Sequence, residues 1–344
     1  MKDQFLKYCK ECTLPETRPN TEVGEDGICS ACKYYKVRKE IDWKVRKDNL
    51  LKIFDKYRNK YNKNFDCIIP CSGGKDSTYQ TLKVKEFGLN PLCVTVSACH
   101  LTEIGRRNIE NIKNLGVDYI EYSANPNVRK KLNKFCLKTV GDISWPESIS
   151  IFCTVARLSA KLNIPLIIWG ENPENENGGP KRNSDIEGNK IQKLDHAWME
   201  EFGGTNGLRA SDILYSLRNE GIKDIDLLPY TYPEKKELST TGSVGVFLGY
   251  YIAWDGHMNA MTAKKNGFTF YHKNVEGSIV PYENLDNYQK RVHDYFKYLK
   301  YGYDRVTDWS SLAIRRGRIS RSEGIKLTIN EGGKFPNDYL GKSL

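Results

Sequence analysis

The sequence has no apolar run long enough to cross a membrane. Its apolar stretches, such as Ile164 to Trp169, fall far short of the roughly 18 residues that a membrane span requires. The first residues, Met1 to Cys9, contain neither the apolar segment of a secretory signal nor an Arg- and Ser-rich transit segment. With 39% hydrophobic and 28% charged residues, the composition is that of a globular protein. We therefore expect a cytoplasmic protein that does not interact with a membrane.

Histidine is scarce, and its five copies are scattered without the spacing of metal ligands. Cysteine is abundant, with ten copies, and four of them form the pairs Cys9-x2-Cys12 and Cys29-x2-Cys32, with sixteen residues between the pairs. This spacing is typical of a four-thiolate zinc ribbon, and a reducing compartment keeps such thiols free. Four protein ligands leave no open position for water, which favours structural over catalytic zinc. An iron centre, or four unrelated thiols, is the alternative.

Excess basic charge is concentrated between Lys36 and Lys63, a segment that contains eleven Lys and Arg residues and only four acidic residues. The formal charge of the whole chain is +10. Apolar residues recur in this segment at helical spacing: Trp43, Leu50, Phe54, Tyr57 and Tyr61. The pattern predicts an amphipathic helix that docks by its apolar stripe and leaves its basic face in solvent. A helix that binds tRNA is the alternative.

From residue 64 onwards, strand-like and helix-like stretches alternate. The candidate strands are residues 65–70, 91–97, 119–122 and 165–169, and the candidate helices between them span about 76–88, 102–115 and 147–163. This order predicts a parallel sheet with helices on both faces. Ligands of such sheets bind at the carboxyl ends of the strands.

The first strand runs directly into Cys-Ser-Gly-Gly-Lys-Asp-Ser-Thr at residues 71–78, and a helix follows. Two glycines allow several backbone N–H groups to converge, and the helix N-terminus adds partial positive charge. Ser72, Lys75 and Ser77 offer further donors to phosphate oxygens. The spacing is neither that of a Walker A loop nor that of GxGxxG. We interpret the segment as a phosphate cradle, with a ligand-free turn or helix cap as the alternative.

Residues Ser72 to Ser77 match the S-G-G-x-D-S motif of the PP-loop ATP pyrophosphatases. Together with the paired CxxC motifs, four further segments give nearly the whole chain a resemblance to the N-acetyl sugar amidotransferases, the WbpG- and PseA-like family. These segments are residues 169–174 (Trp-Gly-Glu-Asn-Pro-Glu), 249–251 with 254–255, Asp308, and 314–318 (Ile-Arg-Arg-Gly-Arg).

The resemblance implies an ATP-dependent conversion of a sugar acetamido group into an acetamidino group. This reaction would serve bacterial surface-glycan biosynthesis, either of lipopolysaccharide O-antigen or of flagellin glycan. The amide oxygen would attack the α-phosphate of ATP, forming an O-adenylylated imidate and pyrophosphate, and ammonia would then displace AMP. The substrate would be an acetamido sugar or a nucleotide sugar, and the implied cofactors are structural Zn2+, Mg2+ and the co-substrate ATP.

The resemblance and the strand ends together nominate the site residues. The expected ATP-binding residues are Ser72, Gly73, Gly74, Lys75, Asp76, Ser77, Ser97 and Gly170, the last two bordering the adenosine. The expected catalytic residues are Ser72, Lys75, Asp76 and Glu171, with Asp76 also the candidate magnesium ligand. The expected substrate-binding residues are Asn172, Arg315 and Arg318, the two arginines because a guanidinium suits phosphate or carboxylate.

The expected domain organisation follows these motifs. We expect a four-cysteine zinc ribbon over residues 1–35, a basic amphipathic linker helix over 36–63, an α/β, Rossmann-like PP-loop domain over 64–240 and a mostly helical substrate-binding region over 241–344. No nucleophilic cysteine stands at position 1 or 2, and too little chain remains for a glutaminase domain. We therefore expect ammonia from a separate glutaminase paired with a barrel protein.

Two other functions remain open at this point. A PP-loop enzyme that thiolates tRNA would share the adenylation step and use the basic helix. It would need catalytic or cluster-binding cysteines near the loop, and Cys71, Cys99, Cys136 and Cys153 contain no CxxC pair. A zinc-ribbon binding protein without catalysis would leave the loop unexplained. We therefore do not expect nucleic acid as a partner.

Overall fold

Five parallel strands form the central sheet of the protein. The structure is a computed structural model, and it describes residues 6–97, 100–171, 208–219 and 221–339. The strands stand in the order β3-β2-β1-β4-β5, and all neighbouring pairs are parallel. Their bounds are β1 (Cys67–Pro70), β2 (Pro91–Val96), β3 (Asp118–Tyr122), β4 (Leu166–Trp169) and β5 (Val244–Phe247). The predicted parallel α/β sheet is confirmed.

Helices follow and cover the strands, and the described chain after β5 is helical with long connecting loops. The helices before β5 are α1 (Ser30–Arg38), α2 (Trp43–Tyr57), α3 (Lys75–Glu86), α4 (Glu103–Asn114), α5 (Pro126–Val140), α6 (Trp145–Leu162), α7 (Ala210–Asn219), α8 (Asp224–Leu227) and α9 (Lys235–Thr241). Those after β5 are α10 (Leu248–Tyr251), α11 (Gly256–Lys265), α12 (Gln289–Tyr301), α13 (Arg305–Arg315) and α14 (Arg321–Glu331). The predicted helical C-terminal region is therefore confirmed.

The core lies between the sheet and the helices on its two faces. Ile68 and Ile69 of β1 and Ile167 and Ile168 of β4 are at most 4% exposed. Strands that are covered on both faces bury successive residues, so their sequences form short continuous apolar runs instead of alternating patterns. This burial fixes the carboxyl ends of β1, β2 and β4, from which the functional loops leave the sheet.

The sheet continues past residue 240, where the sequence analysis ended the PP-loop domain. Strand β5 pairs with β4 from Leu166↔Val244 to Trp169↔Phe247. Its four residues, Val-Gly-Val-Phe, are too few to form a recognisable pattern before the structure is known. The last strand of the domain therefore lies in the stretch assigned to the substrate-binding region.

The basic segment over residues 36–63 contains one complete helix, α2, and the last turn of α1, most of which belongs to the ribbon. Helix α2 begins after Asp42, whose carboxylate accepts hydrogen bonds from the backbone N–H groups of Lys44 and Val45. Its stripe of Leu50, Phe54 and Tyr57 is buried in the core of the sheet domain. The segment thus packs against the domain.

None of the helices in the described part of the chain combines the length and the hydropathy that a membrane span needs.

Candidate functional site

The loop between β1 and α3 is shaped by Gly73. Its φ of +80° is a left-handed conformation that favours glycine, and a Cβ there would lie 2.7 Å from the Ile109 side chain and 2.8 Å from its backbone nitrogen. Helix α3 begins at the next residue but one, and no side chain caps its N-cap residue, Gly74. The loop therefore approaches α4 closely and presents an uncapped helix N-terminus at the carboxyl edge of the sheet.

The loop hydroxyls differ in their roles. Ser77 is buried and donates to the Gly74 carbonyl at 3.0 Å, as Thr78 does, so both tie down the first turn of α3. Ser72 is exposed, and its Oγ accepts from the Gly74 N–H at 3.2 Å, which leaves its own proton to donate. Ser72 is thus better placed than Ser77 to donate to a ligand.

Beside the loop lies a cavity of about 360 Å³, which we call the ion-pair cavity. Its wall carries six cationic side chains and five carboxylates. The cations are Arg18, Lys75, Lys297, Arg305, Arg316 and Arg318, and the carboxylates are Asp76, Glu171, Asp255, Glu283 and Asp308. Of the sequence-predicted site residues, Lys75, Asp76, Glu171 and Arg318 line this cavity.

Lys75 connects the loop to the C-terminal region. Its ammonium is paired with the Asp76 carboxylate and lies 2.5 Å from Oε1 of Glu283. Burial disfavours the charge, but Asp76 and Glu283 outweigh it and raise the pKa of Lys75 above its ordinary value. The other oxygen of Asp76 accepts from Nδ2 of Asn259 at 2.9 Å. Lys75 therefore remains a cation at neutral pH, held by two carboxylates.

Glu283 connects Lys75 to a series of side chains with alternating charges. Arg305 lies 4.0 Å from Glu283 and 3.7 Å from Asp294, and Lys297 lies 3.1 Å from Asp294. Asp294 is fully buried, and its cationic neighbours, Lys297 and Arg305 foremost, overcome the burial and depress its pKa. Each charge in the series has an opposite neighbour, so the cavity wall stays ionised and its side chains are held in place.

The amino-terminal ribbon contributes the last member of this series, Arg18. Lys297 binds Asp308 at 3.2 Å, and Asp308 accepts from Nε of Arg18, also at 3.2 Å. Arg18 further stacks over the ring of Tyr303, with 5.5 Å between guanidinium carbon and ring centroid. Burial opposes the charge on Asp308, but Lys297 and Arg18 depress its pKa. The ribbon is thus part of the cavity wall.

On another part of the wall, Asp255 holds two arginines. Arg316 and Arg318 lie 3.1 and 2.6 Å from the same carboxylate oxygen. Burial works against the charge on Asp255, but Arg318 and Arg316 depress its pKa. Arg316 also donates to the Trp254 carbonyl at 2.8 Å, whereas the Arg318 side chain is 31% exposed, so Arg318 is the better placed of the two to meet an anion.

The four ribbon cysteines meet in one buried cluster. Their sulfur atoms lie within 4.8 Å of one another, with 3.9 Å from Cys9 to Cys32 and 3.7 Å from Cys12 to Cys29. A tetrahedral zinc with bonds of about 2.3 Å places its sulfur ligands about 3.8 Å apart. The cluster therefore fits a zinc ion with four protein ligands, as its spacing predicts.

Arg315, which the sequence analysis expects to bind substrate, is not among the residues that line the ion-pair cavity. It donates to Sγ of Cys12 at 3.9 Å, and nearby Arg321 donates to the Cys9 and Cys12 carbonyls. The cavity-facing residues of α13 are Arg305, Asp308, Trp309 and Leu312. Arg315 lies on the adjoining face, where Ser311 binds Thr13 of the ribbon at 2.8 Å. Positive charge is favourable beside thiolates, so Arg315 serves the ribbon.

The remaining predicted residues lie outside the ion-pair cavity. Gly170 directly follows β4 and packs against Trp254, and a Cβ on Gly170 would lie 3.1 Å from that indole. Ser97 lines a separate cavity of about 680 Å³ beyond the ends of β2 and β3, which we call the basic cavity. Asn172 lies outside the described residues. Ser72, Gly73, Gly74 and Ser77 form the loop itself and do not line the ion-pair cavity.

Sequence reasoning did not nominate Glu283, Lys297, Arg305 and Arg18. Glu283 lies in a loop without periodicity, and its partner Lys75 is more than two hundred positions away. Arg305 begins a helical series with Asp308, Trp309 and Leu312, at the i, i+3, i+4 and i+7 positions. A helical face that mixes charges with an indole is the signal that could have identified Arg305, whereas no local pattern marks Glu283, Lys297 or Arg18.

Comparison with known proteins supports the family resemblance. Residues 267–341 match the family "LPS biosynthesis protein WbpG-like, C-terminal domain". The resemblance to WbpG-like proteins indicated by the sequence motifs is thereby confirmed over this segment. A search of the curated proteins found no match.

Two solved structures show weak similarity to the chain. A predicted subunit of tRNA methyltransferase from Methanocaldococcus jannaschii is 16% identical, and the match covers 49% of this chain and 93% of that one, with a TM-score of 0.26. NMN synthetase from Francisella tularensis is 12% identical over 68% of this chain and 100% of its own, with a TM-score of 0.31.

Proposed function

We propose that this chain is an ATP-dependent amidotransferase that converts a sugar acetamido group into an acetamidino group and releases AMP and pyrophosphate. The reaction would belong to bacterial surface-glycan biosynthesis, for lipopolysaccharide O-antigen or flagellin glycan. The proposal combines an ATP-using loop with a substrate region of the WbpG-like kind.

The observation that supports the proposal best is the composition of the ion-pair cavity. Lys75 and Asp76 of the loop share it with nine residues of the segment that matches the WbpG-like domain, out of seventeen lining residues in all. A phosphate-binding loop and a family-specific segment that share one cavity are suited to a reaction between ATP and the substrate of that family. Either region alone would be compatible with many functions.

In the first step, the acetamido oxygen attacks the α-phosphorus of ATP. The bond from that phosphorus to the bridging oxygen breaks, and negative charge accumulates on the departing pyrophosphate. The N-terminus of α3, the Ser72 hydroxyl and the Lys75 ammonium are donors that stabilise this charge. Mg2+ would neutralise phosphate charge, and the partly exposed Asp76 carboxylate is the residue here that fits it.

In the second step, ammonia attacks the imidate carbon. The bond from that carbon to the oxygen breaks, and AMP departs with the former amide oxygen, while the new nitrogen loses protons. Glu171, exposed at the end of β4 and lining the cavity, is our candidate to accept one of them. The wall pairs its own charges, so it is already oriented before the substrate binds.

The substrate would be anchored by Arg318, which lines the cavity and is held there by Asp255. An acidic sugar or a sugar phosphate would bind to its guanidinium. We further propose that ammonia comes from a separate glutaminase acting with a barrel-type channel protein. A partner that delivers ammonia directly would keep it from being protonated in solvent.

The cysteines argue against the thiolation alternative. Cys71 directly precedes the loop, but it is 3% exposed, and burial raises its pKa well above the ordinary thiol value. A neutral buried thiol is a poor nucleophile. The other described cysteines are buried as well.

The test is product analysis with purified protein, Mg-ATP, an ammonium salt and a panel of acetamido sugars and their nucleotide derivatives. We expect AMP and pyrophosphate, and a sugar product lighter by the difference between an oxygen atom and an NH group. ADP and phosphate as products would contradict the role of the loop in releasing pyrophosphate from ATP. AMP formed only with tRNA would support that role of the loop and contradict the sugar substrate.

A further inference from the structure

His257 lies where the ion-pair cavity meets a second cavity, which we call the apolar cavity. The apolar cavity has a volume of about 490 Å³, and its apolar walls include Val275, Ile279, Val280, Ile319 and Leu327. Three residues line both cavities, namely His257, Trp309 and Arg318. A substrate whose reacting group lies in the ion-pair cavity has adjoining space for the rest of its structure, and His257 lies at the boundary.

The first turn of α11, which carries His257, packs on the phosphate-binding loop. Gly256 begins this helix, and a Cβ on Gly256 would lie 3.7 Å from Nζ of Lys75. Two residues after His257, Asn259 donates to the Asp76 carboxylate at 2.9 Å. His257 is therefore the residue between two contacts with the loop that is expected to hold the phosphates of ATP.

A single carboxylate positions both His257 and the substrate anchor Arg318. Oδ1 of Asp255 accepts from the backbone N–H of His257 at 3.1 Å, and Oδ2 binds the Arg318 guanidinium at 2.6 Å. The Arg318 charge also acts on the His257 ring, whose pKa it lowers after the larger effect of burial. A substrate held by Arg318 therefore lies beside His257.

The His257 ring is oriented by a buried phenol. Nδ1 of His257 lies 2.8 Å from Oη of Tyr282, which directly precedes Glu283, the partner of Lys75. Burial raises the pKa of Tyr282 to about 12, so the phenol keeps its proton. This hydrogen bond occupies Nδ1, which leaves Nε2 as the ring nitrogen that can exchange a proton with a ligand.

The surroundings keep the imidazole neutral at neutral pH. Burial and then Arg318 lower the pKa of His257 below its ordinary value of about 6.5, although Asp255 opposes them. The other charged groups in the two cavity walls beside it are Lys75 of α3, Glu283 of the loop before α12, Arg316 after α13, and Glu276 and Glu331 of the apolar cavity. A neutral imidazole can accept a proton.

We propose that His257 is the base that takes the proton from the acetamido nitrogen while the acetamido oxygen attacks the α-phosphorus of ATP. The inference rests on the proposed function, because it assigns a residue to the first step of that reaction. Loss of this proton places more negative charge on the amide oxygen, which makes it a better nucleophile. Glu171 serves the second step, so the two bases have different tasks.

The proton and the electrons balance over the two steps. In the first, the N–H bond breaks and its electrons form the C=N bond of a neutral imidate, the carbonyl π electrons form the bond to phosphorus, and the proton moves to Nε2 of His257. In the second, ammonia adds to the imidate carbon and His257 returns its proton to the imidate nitrogen. Glu171 accepts one proton from the added nitrogen, and AMP leaves with the electrons of the bond between carbon and oxygen. The sugar product is an amidinium cation.

The test isolates the first step by leaving out ammonium. The full-length protein is incubated with Mg-ATP, labelled pyrophosphate and each acetamido sugar of the panel, and the label that returns to ATP is measured between about pH 5 and pH 9. In the parent protein, the exchange rate should fall as the pH drops below about 6.5, because His257 is then protonated.

Two histidine variants form the matched pair. His257→Gln should slow the exchange by roughly 100- to 10,000-fold and abolish its fall at acidic pH, with little change in the KM for ATP. His272→Gln alters an exposed histidine that lines neither cavity, and it should keep both the parent rate and the acidic fall.

Tyr282→Phe gives a second readout that does not depend on a variant of His257. Tyr282 is a positioning residue, because it acts on the substrate only through His257. Its oxygen accepts from Nδ1–H of the protonated ring, and a hydrogen bond to the charged form favours that form. The midpoint of the acidic fall should therefore move to lower pH in this variant.

Three results would overturn the inference: His257→Gln exchanges at the parent rate, its acidic fall persists, or Tyr282→Phe leaves the midpoint unmoved. None of them affects the proposed function, because the parent protein would still show exchange that depends on the sugar. A parent protein without such exchange for any acetamido sugar would contradict the proposed function itself, and the inference with it.

Discussion

The two cavities at the carboxyl edge of the sheet differ in how their charges are balanced. In the ion-pair cavity, cations and carboxylates alternate, and Lys75, Glu283 and Arg305 hold one another in place. In the basic cavity, the described lining includes Arg129, Lys130 and Lys134 and no carboxylate. The first arrangement suits charge that develops during a reaction, because its groups are oriented beforehand.

Their construction also differs. The ion-pair cavity is assembled from distant parts of the chain: the ribbon, the loop after β1, the end of β4 and the region after β5. Most of the basic cavity comes from residues 97–143, with Gln289 the exception. Damage to a remote element should therefore affect the ion-pair cavity more.

The largest expected effect on activity comes from removing the ammonium of Lys75, which pairs the loop with Glu283 of the C-terminal region. Lys75→Met should lower kcat by roughly 100- to 1,000-fold, because it removes a preorganised donor to the departing pyrophosphate. The measurement is the rate of AMP formation at saturating substrates. Lys83→Met, on the same helix but paired with Glu86 at the surface, is the control and should retain full activity. Equal loss in both variants would contradict a role at the phosphates.

Next in size is the effect of the metal. Removing zinc with a chelator, or changing Cys29→Ser, should lower the melting temperature and abolish activity, because metal binding contributes to folding and the ribbon holds Arg18 in the cavity wall. Metal analysis should find about one zinc per chain in the parent protein.

Zinc removal should both destabilise the fold and displace Arg18 from the cavity wall, and the Arg18→Met variant tests the second effect alone. This variant should retain zinc but bind the substrate more weakly. An active, fully folded protein without zinc would show that the ribbon is not needed for the ion-pair cavity.

A smaller effect distinguishes Arg315 from Arg318, which the sequence analysis both assigned to substrate binding. Arg318→Ala should raise the KM for the sugar roughly 10- to 100-fold with little change in the KM for ATP, as expected for loss of one charge-assisted hydrogen-bond partner. Arg315→Ala should leave both KM values nearly unchanged and instead weaken zinc retention, measured with a competing chelator. The reverse pattern would assign Arg315 to the substrate.

The smallest effect concerns the support behind the basic cavity. Asp142, next to the lining residue Ile143, binds Nδ1 of His293 at 2.8 Å. Burial opposes its charge, but His293 and the Ser144 N–H lower the pKa of Asp142 to about 2. Because the folded-state pKa is depressed, the stabilisation is present above the unfolded value of about 4 and is lost as the pH falls towards 2.

Asp142→Asn should therefore lower the free energy of unfolding by up to about 2 kcal/mol at neutral pH, with the difference from the parent shrinking between about pH 4 and pH 2. Urea titrations of both proteins across this range measure it. A difference that is the same at pH 2 as at pH 7 would contradict the assigned ionisation.

These cases show which features can be predicted from the sequence. The loop at Ser72 to Ser77 depends on residues a few positions apart, and the four-cysteine cluster depends on two CxxC pairs at a typical separation, so in both cases the spacing carries the geometry. The pairing of Lys75 with Glu283 depends on how the C-terminal region folds back over the sheet, which no local pattern encodes. Arg315 and Arg318 are three positions apart, and the end of α13 between them directs one to the ribbon and the other to the cavity.

The central claim is that the substrate amide oxygen attacks the α-phosphate of ATP at the ion-pair cavity. The most direct measurement uses an acetamido sugar substrate whose carbonyl oxygen is a heavy isotope, with Mg-ATP and ammonium, followed by mass analysis of the nucleotide and phosphate products. The account predicts one heavy oxygen in AMP and none in pyrophosphate. Heavy oxygen that appears in inorganic phosphate, or unlabelled AMP beside an amidino product, would contradict it.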